Sequence, residues 1–534
     1  MVRGDPGRLA STDDTVTPDR TDRLAPLVAA VLAIGAVVLA IEPWPVGVFQ
    51  DDGIYVVLGR ALATGDGFRF TQMPGAPHAT HYPPGYPLFL AALWKLAPSF
   101  PSNVTLFKFA NAALVGVVAV LTWGFARRQL QLGALGAGAV AVLFTACSPV
   151  VLLSVMVMSE PLFMVGVLLA LAAGERAART GTTRDAVVAG VAGVALAMVR
   201  TLGSLVVPAT VLALVWRRHW RAAAVTTATA AICLLPWQLW VAAHADEVPA
   251  VFTGKYGSYG GWLGDAVRAG GISWVLDVVR FNAGRLAFES WTHTGTVLGP
   301  LWLRVTATTV LLGVLVAGMK SAWTRARVVA LFTLAYLAVV IAWPFAPARF
   351  LWGIWPVLGM LCVLGVRELA GPSQPGRPPL RRLAVTVLAL GLVVGYAKFN
   401  AQSAREGWWS QVQGSVAARA RPMAEWVRTN TDTNAVIATD DDLLVHLYTG
   451  RRTVPNATFT PQEHLTPQTP AFATQALGEI LATYKVDYVL AVSDYGLQAA
   501  TGLSQGPRPS LRLVTTLPRG SVFELRPDEA PAAR

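Results

Sequence analysis

The sequence predicts a mostly α-helical, polytopic membrane protein carrying a small α/β domain at its C-terminal end. Three observations lead there. Only 14% of the 534 residues are charged and 54% are apolar, whereas a soluble domain carries roughly 25% charged residues. Leu24–Ile41, Gln129–Ser159 and Ala222–Ala243 contain no charge at all, and each approaches or exceeds the ~18 apolar residues of a membrane span. After about residue 398 the long apolar runs stop, and helix-like and strand-like stretches alternate, as in a small α/β unit of ~130 residues.

The net charge is +12, but its distribution argues against a nucleic-acid partner. Basic residues gather in short clusters between apolar runs, as expected of cytoplasmic loops. The three cysteines, Cys147, Cys233 and Cys362, all lie inside apolar stretches. They read as small core residues, with neither a disulfide framework nor metal-ligand spacing.

Residues 1–23 are polar and read as a disordered cytoplasmic tail. Arg20 and Arg23 precede the first span, so Leu24–Ile41 crosses outward as a signal anchor and delivers a first outer loop, residues 43–103. Within that loop Tyr86–Ala97 is apolar but shorter than the ~17 residues needed to cross, which makes it an interfacial or re-entrant helix. Val104–Ala126 returns to Arg127-Arg128, Leu132–Ser148 goes out, and the run from Ser159 comes back to Glu175-Arg176. Between Arg184 and Arg217 the apolar sequence is interrupted once, at Arg200. Two short spans with Arg200 at the outer turn keep the cluster Arg217–Arg221 inside, where one span would put it outside. Ala222–Ala243 then leads to a second large outer loop, residues 244–296. Further crossings end at Met319, Trp343, Val366 and Tyr396. The total is about eleven spans, an odd number that leaves residues 398–534 outside as a soluble extracytoplasmic domain. In that domain Arg419–Thr429 reads as a helix, Ala435–Thr439 and Val486–Val492 as strands, Leu443–Tyr448 as a short helix and Leu511–Leu525 as a hairpin.

The informative residues are charges on the outer side close to the membrane, which the positive-inside rule does not explain. Asp51 and Asp52 stand just beyond the first span. The stretch after them places Ile54, Tyr55, Leu58 and Leu62 on one face, as in an interfacial amphipathic helix, so the acids sit at its positive dipole end as cap or as catalyst. HATHYPPGYP, with three prolines and a glycine, turns the chain sharply. Ser159-Glu160-Pro161 opens a returning span with a good N-cap and a first-turn proline, and its end should lie beside the first outer loop. Arg200, Arg349 and Lys108 are outer-face cations flanked by apolar sequence. They are placed to hold a phosphate at the membrane surface, with interfacial snorkelling as the plainer reading of each.

The acidic pair, the amphipathic helix, YPPGYPLFLAALW and MSEPLF together resemble the GT-C glycosyltransferases, in particular the branch of protein O-mannosyltransferases and lipid A aminoarabinose transferases. The resemblance covers roughly residues 24–366, and AEWVRTNTDTNAVIATDDDLLVHLYTGRRTVP is similar to the soluble domain that follows such membrane cores. The family's loop usually reads Asp-Glu where this chain has Asp51-Asp52, and the later span often opens on Asp where this chain has Glu160.

The resemblance implies an inverting enzyme that uses a sugar carried on polyprenyl phosphate and acts on an extracytoplasmic glycan, lipid or protein. Asp51 would take the acceptor's proton, with Asp52 and Glu160 orienting the acceptor or a nearby cation. Arg200, Arg349 and Lys108 would stabilise the phosphate leaving group. Tyr55, His78, His81, Tyr82, Lys255 and Tyr256 would line the sugar pocket. A divalent cation is compatible with these acids, but no ligand cluster points to a metal. The alternatives are a transporter or flippase of a lipid-linked glycan, which should show internal repeats, and a non-catalytic membrane-anchored assembly protein.

Overall fold

The computed structural model describes residues 20–294, 300–371, 380–506 and 509–526; most of the expected N-terminal tail lies outside them. Each apolar run expected to cross the membrane contains a helix. In chain order these are α1 (Arg20–Val38), α2 (Asp51–Thr64), α3 (Gly85–Leu96), α4 (Val104–Arg128), α5 (Ala134–Leu143), α6 (Ser148–Val155), α7 (Glu160–Thr180), α8 (Thr183–Val199), α9 (Val206–Trp216), α10 (Trp220–Ala243), α11 (Thr253–Tyr256), α12 (Tyr259–Thr294), α13 (Leu301–Arg325), α14 (Arg327–Ala342), α15 (Pro347–Trp352), α16 (Trp355–Ala370) and α17 (Leu380–Glu406).

Among the described residues, five helical stretches are long and apolar enough to cross a membrane, or six when α5 and α6, bent by 51°, count as one. The helices α8, α9, α14 and α16, of 11 to 17 residues, fall at or below the ~17 residues of a straight crossing. Length and hydropathy therefore give a smaller count than the eleven runs of the sequence. The hydrophobic exterior fits a lipid surrounding: Ile232, Leu239, Val316 and Val387 are all more than half exposed, an arrangement that costs nothing in a bilayer and much in water. Helices pack through small residues. At the crossing of α13 and α16, a Cβ on Gly365 would lie 1.9 Å from the Val314 carbonyl oxygen, so only glycine permits that approach.

The chain breaks where expected around Arg200. Helix α8 ends at Val199, a 3₁₀ turn spans Thr201–Leu205, and α9 starts at Val206. The second outer segment departs from the expected loop, being largely helical. Helix α12 runs 36 residues with a break at Gly271, whose φ is +62°. Interspersed glycines and charges dilute its apolar signal, and its placement comes from contacts such as Asn282 Nδ2 donating to the carbonyls of Ile341 and Trp343 at 3.0 and 2.7 Å.

After α17 come α18 (Trp408–Asn430), β1 (Val436–Thr439), α19 (Asp442–Thr449), β2 (Arg452–Pro455), α20 (Pro470–Tyr484), β3 (Tyr488–Ala491), α21 (Asp494–Gln505), β4 (Leu511–Leu517) and β5 (Gly520–Leu525). The sheet order is β2-β1-β3-β5-β4, parallel across its first three strands and antiparallel at the hairpin edge. The domain is bolted to the first outer loop. A Cβ on Gly53 of α2 would come within 2.7 Å of Leu443 Cβ in α19, Val46 N donates to Tyr448 Oη at 3.1 Å, and Thr453 N donates to the Gln72 carbonyl at 2.8 Å. The C-terminal domain thus roofs the helix that opens on Asp51.

Candidate active site

Four charged residues expected separately at the outer ends of different helices come together: Asp51, Arg200 and Arg349 border one cavity, and Glu160 pairs with both arginines. Asp51 is the first residue of α2, and it receives a hydrogen bond from Tyr82 Oη at 2.9 Å and an ion pair from Arg349. Glu160 opens α7 and is 1% exposed; its Oε1 accepts from Arg200 at 2.7 Å and lies 3.5 Å from Arg349 Nε. Its other oxygen, Oε2, has no hydrogen-bond partner among the described residues. Arg200 also donates to Ser159 Oγ at 3.1 Å, and Ser159 in turn donates to Tyr55 Oη at 3.0 Å. Arg349 lies over the Phe49 ring at 5.1 Å.

The cavity bordered by Asp51, Arg200 and Arg349 has a volume of about 360 Å³. Asp51, Tyr55, His81, Tyr82, Arg200, Lys255 and Arg349 supply its polar lining, and Val199, Leu202, Leu205, Val339, Trp343 and Phe350 its apolar lining. Tyr259, Trp343 and Phe459 also face it; they were not singled out in the sequence, because aromatic residues in an amphipathic stretch carry no mark of the space they border. A site lined by both fixed charges and apolar side chains suits a ligand with an anionic head and a hydrocarbon tail.

Electrostatics divide the two neighbouring aspartates. Burial opposes ionisation of Asp51, but Arg349, then Arg200 and the Tyr82 hydroxyl, outweigh it and hold the carboxyl below its ordinary value. Asp52 points the other way. Its Oδ2 accepts from the backbone N–H of Gly47 and Val48 at 2.7 and 3.1 Å, and its Oδ1 from Phe49 at 2.8 Å. It is fully buried, outside the cavity, and organises the turn that presents Asp51. Burial raises its pKa to about 6 although four backbone N–H groups pull it down. A raised carboxyl pKa stabilises the fold fully below the unfolded value of 3.8 and loses that contribution as pH rises through about 6. The Asp52→Asn variant should therefore flatten the fall in melting temperature between those two pH values, while folded variant keeps most of its turnover. A turnover loss as large as that of an Asp51 variant would return Asp52 to the chemistry.

Three other candidates lie away from the cavity. Lys108 is 2% exposed and donates to the carbonyls of Glu42 and Trp44 at 2.8 and 3.1 Å. It stitches α4 to the chain leaving α1. Tyr256 is fully buried and hydrogen-bonded to Asp442, tying the second outer segment to the C-terminal domain. His78 pairs with Glu247 at 2.8 Å. His81 does line the cavity; its Nδ1 lies 2.5 Å from the Gly257 carbonyl, and burial lowers its pKa to about 4. Because a carbonyl only accepts, Nδ1–H is the donor.

Mostly helical, with a transmembrane bundle, interfacial helices in the first outer loop and a small C-terminal α/β domain, the chain has the fold of the GT-C membrane transferases. Crystal structures of ArnT from Cupriavidus metallidurans share it along the whole length. The apo form superposes with a TM-score of 0.51, and the form bound to undecaprenyl phosphate with 0.50, each at 13% identity over 95% of this chain and 98% of that one. The arabinofuranosyltransferase AftD from mycobacteria, seen by cryo-electron microscopy, gives a TM-score of 0.44 and 16% identity over 94% of this chain and 41% of its own. No sequence-family model and no curated protein matches the chain.

Proposed function

We propose that this protein is an inverting GT-C glycosyltransferase that takes a sugar from a polyprenyl-phosphate carrier and gives it to an extracytoplasmic acceptor. The single observation that carries the proposal is the cavity lined by Asp51, Arg200 and Arg349 together with apolar side chains, its two arginines paired with Asp51 and the buried Glu160. The undecaprenyl phosphate bound by ArnT, a protein of the same fold, is a ligand of that chemistry.

The acceptor hydroxyl attacks the sugar's anomeric carbon from the face opposite the phosphate. Its proton passes to Asp51 as the new C–O bond forms, and the C–O bond to phosphate breaks. The departing polyprenyl phosphate gains one negative charge, so positive charge is worth more than a general acid here. Arg200 and Arg349 supply it, each as a planar fork able to bind phosphate oxygens in pairs. Without donor, both arginines are occupied by Glu160 and Asp51. An arriving phosphate shares the Arg349 charge and weakens its hold on Asp51, whose basicity then rises. Donor binding itself prepares the base.

The test is incubation of purified protein with radiolabelled polyprenyl-phospho-sugars. Release of polyprenyl phosphate that depends on acceptor is expected. Donor moved between leaflets without cleavage would favour a flippase.

The reading also requires the cavity to face outward. Reporters fused after Arg128 or Arg221 should read cytoplasmic, and one after Asn400 extracytoplasmic. A cytoplasmic reading at Asn400 would put the C-terminal domain, and the cavity beneath it, on the wrong side.

A further inference from the structure

Away from the cavity, His78, His244 and Glu247 come together from two separate outer segments. His78 belongs to the first outer loop and forms a β-bridge with Arg69. His244 closes the end of α10, and Glu247 follows in the next turn. The Glu247 carboxylate reaches both imidazoles, with His78 Nδ1 at 2.8 Å and His244 Nδ1 at 2.6 Å, and it also accepts from the His78 backbone N–H at 2.8 Å. The two imidazole rings lie 3.8 Å apart. Trp240 holds the arrangement from the side: its ring meets His78 edge-on at 5.1 Å and its Nε1 donates to the Ala79 carbonyl at 3.0 Å.

We propose that His78, His244 and Glu247 form a binding site for a zinc-like divalent cation that pins the first outer loop to the end of α10. One ligand atom from each residue lies within 4.8 Å of the other two. Zinc held at about 2.0–2.1 Å by nitrogen and oxygen places its ligands roughly 3.3–3.5 Å apart in a tetrahedron, so small side-chain rotations close the site. Two imidazoles and one carboxylate suit zinc and its transition-metal neighbours, whereas calcium and magnesium favour all-oxygen shells. All three side chains are partly accessible to solvent, which gives the ion a path in and leaves the fourth position to water.

The consequence is mechanical. His81 and Tyr82, which line the cavity, follow His78 on the same loop, and Lys255, which also lines it, follows Glu247. An ion at this site would fix the relative position of the two segments without touching the substrate. The plainer alternative is a carboxylate that bridges two histidines with no ion at all.

The experiment uses tag-free, full-length protein in detergent, stripped with chelator, dialysed against zinc and assayed for bound metal and thermal unfolding. The expected result is about one zinc per chain, as one His₂Glu cluster predicts, with a melting temperature that rises on loading and falls again with chelator. Cobalt in place of zinc should give the visible absorption of a four-coordinate site. Even outer-shell changes around a metal cost about 10–100-fold in affinity, so His244→Ala and Glu247→Gln should each lose at least that much. Glu247→Gln keeps the size and a hydrogen-bonding oxygen, which guards against a variant that merely misfolds. Wild-type protein that retains no zinc after dialysis, or zinc retained equally by both variants, would overturn the proposal.

Discussion

Replacing Asp51 by Asn should lower turnover by about 10²- to 10⁴-fold, the usual contribution of a general base, while donor affinity changes little. The substitution keeps the shape, and the amide oxygen still accepts from Tyr82, which donates to Asp51 at 2.9 Å. What disappears is the charge that pairs with Arg349 and, with it, the basicity that the proposed mechanism requires of this side chain. A purely structural Asp51 predicts another result. Asp51 is the first residue of α2 and caps no backbone N–H, so a purely structural role would lower the melting temperature through the lost Arg349 pair and leave the turnover of the folded variant intact. The pairing with Arg349 sharpens the test. With the carboxylate gone, Arg349 is freer to bind donor phosphate, so the Michaelis constant for donor should stay level or fall as turnover collapses. Such a split identifies a group needed after donor binding. Near-normal turnover in Asp51→Asn would move the base to Glu160, whose buried Oε2 has no hydrogen-bond partner among the described residues.

Much of this arrangement was legible in the sequence because a bilayer allows few solutions. Apolar runs and basic clusters set the order of crossings, and a lone charge in an apolar run has nowhere to go but a helix end. That logic put Asp51, Glu160, Arg200 and Arg349 on one face of the membrane, and the fold brings them into contact. What it left open was side-chain direction. Asp51 and Asp52 are adjacent, yet successive residues of a helix point about 100° apart; one meets the cavity and the other its own preceding turn. Lys255 and Tyr256 divide in the same way. Lys108 has the position of a phosphate ligand, but its ammonium is taken by two backbone carbonyls that composition does not advertise. Strand β2 was missed because Arg452–Pro455 is four residues long and ends in proline, which an edge strand tolerates and a central one does not. The docking of α19 on α2 depends on shape complementarity across nearly four hundred residues of chain, which local patterns do not encode.

Arg200→Ala should be the most destabilising single change at the site, and its rescue separates folding from function. Glu160 is 1% exposed, with Arg200 at 2.7 Å and Arg349 Nε at 3.5 Å as its cationic neighbours. Removing one partner of a buried ion pair typically costs ~3–5 kcal/mol, because the other charge stays buried without compensation. Arg349 lessens that cost but cannot remove it, since its guanidinium is already engaged with Asp51. The expected result is a large drop in melting temperature and little functional protein. Adding Glu160→Gln should restore most of the stability, because a neutral amide needs no counter-charge. If Arg200 exists to hold the leaving phosphate, the double variant will fold and still turn over slowly. Arg200→Lys should recover stability well and activity only in part, since a point charge cannot grip phosphate through two parallel hydrogen bonds. Unfolding temperature and turnover measured on the three variants give the answer. A double variant that regains both would make Arg200 a counter-ion for Glu160 and nothing more, and the phosphate would then fall to Arg349 and Lys255, the other cations that line the cavity.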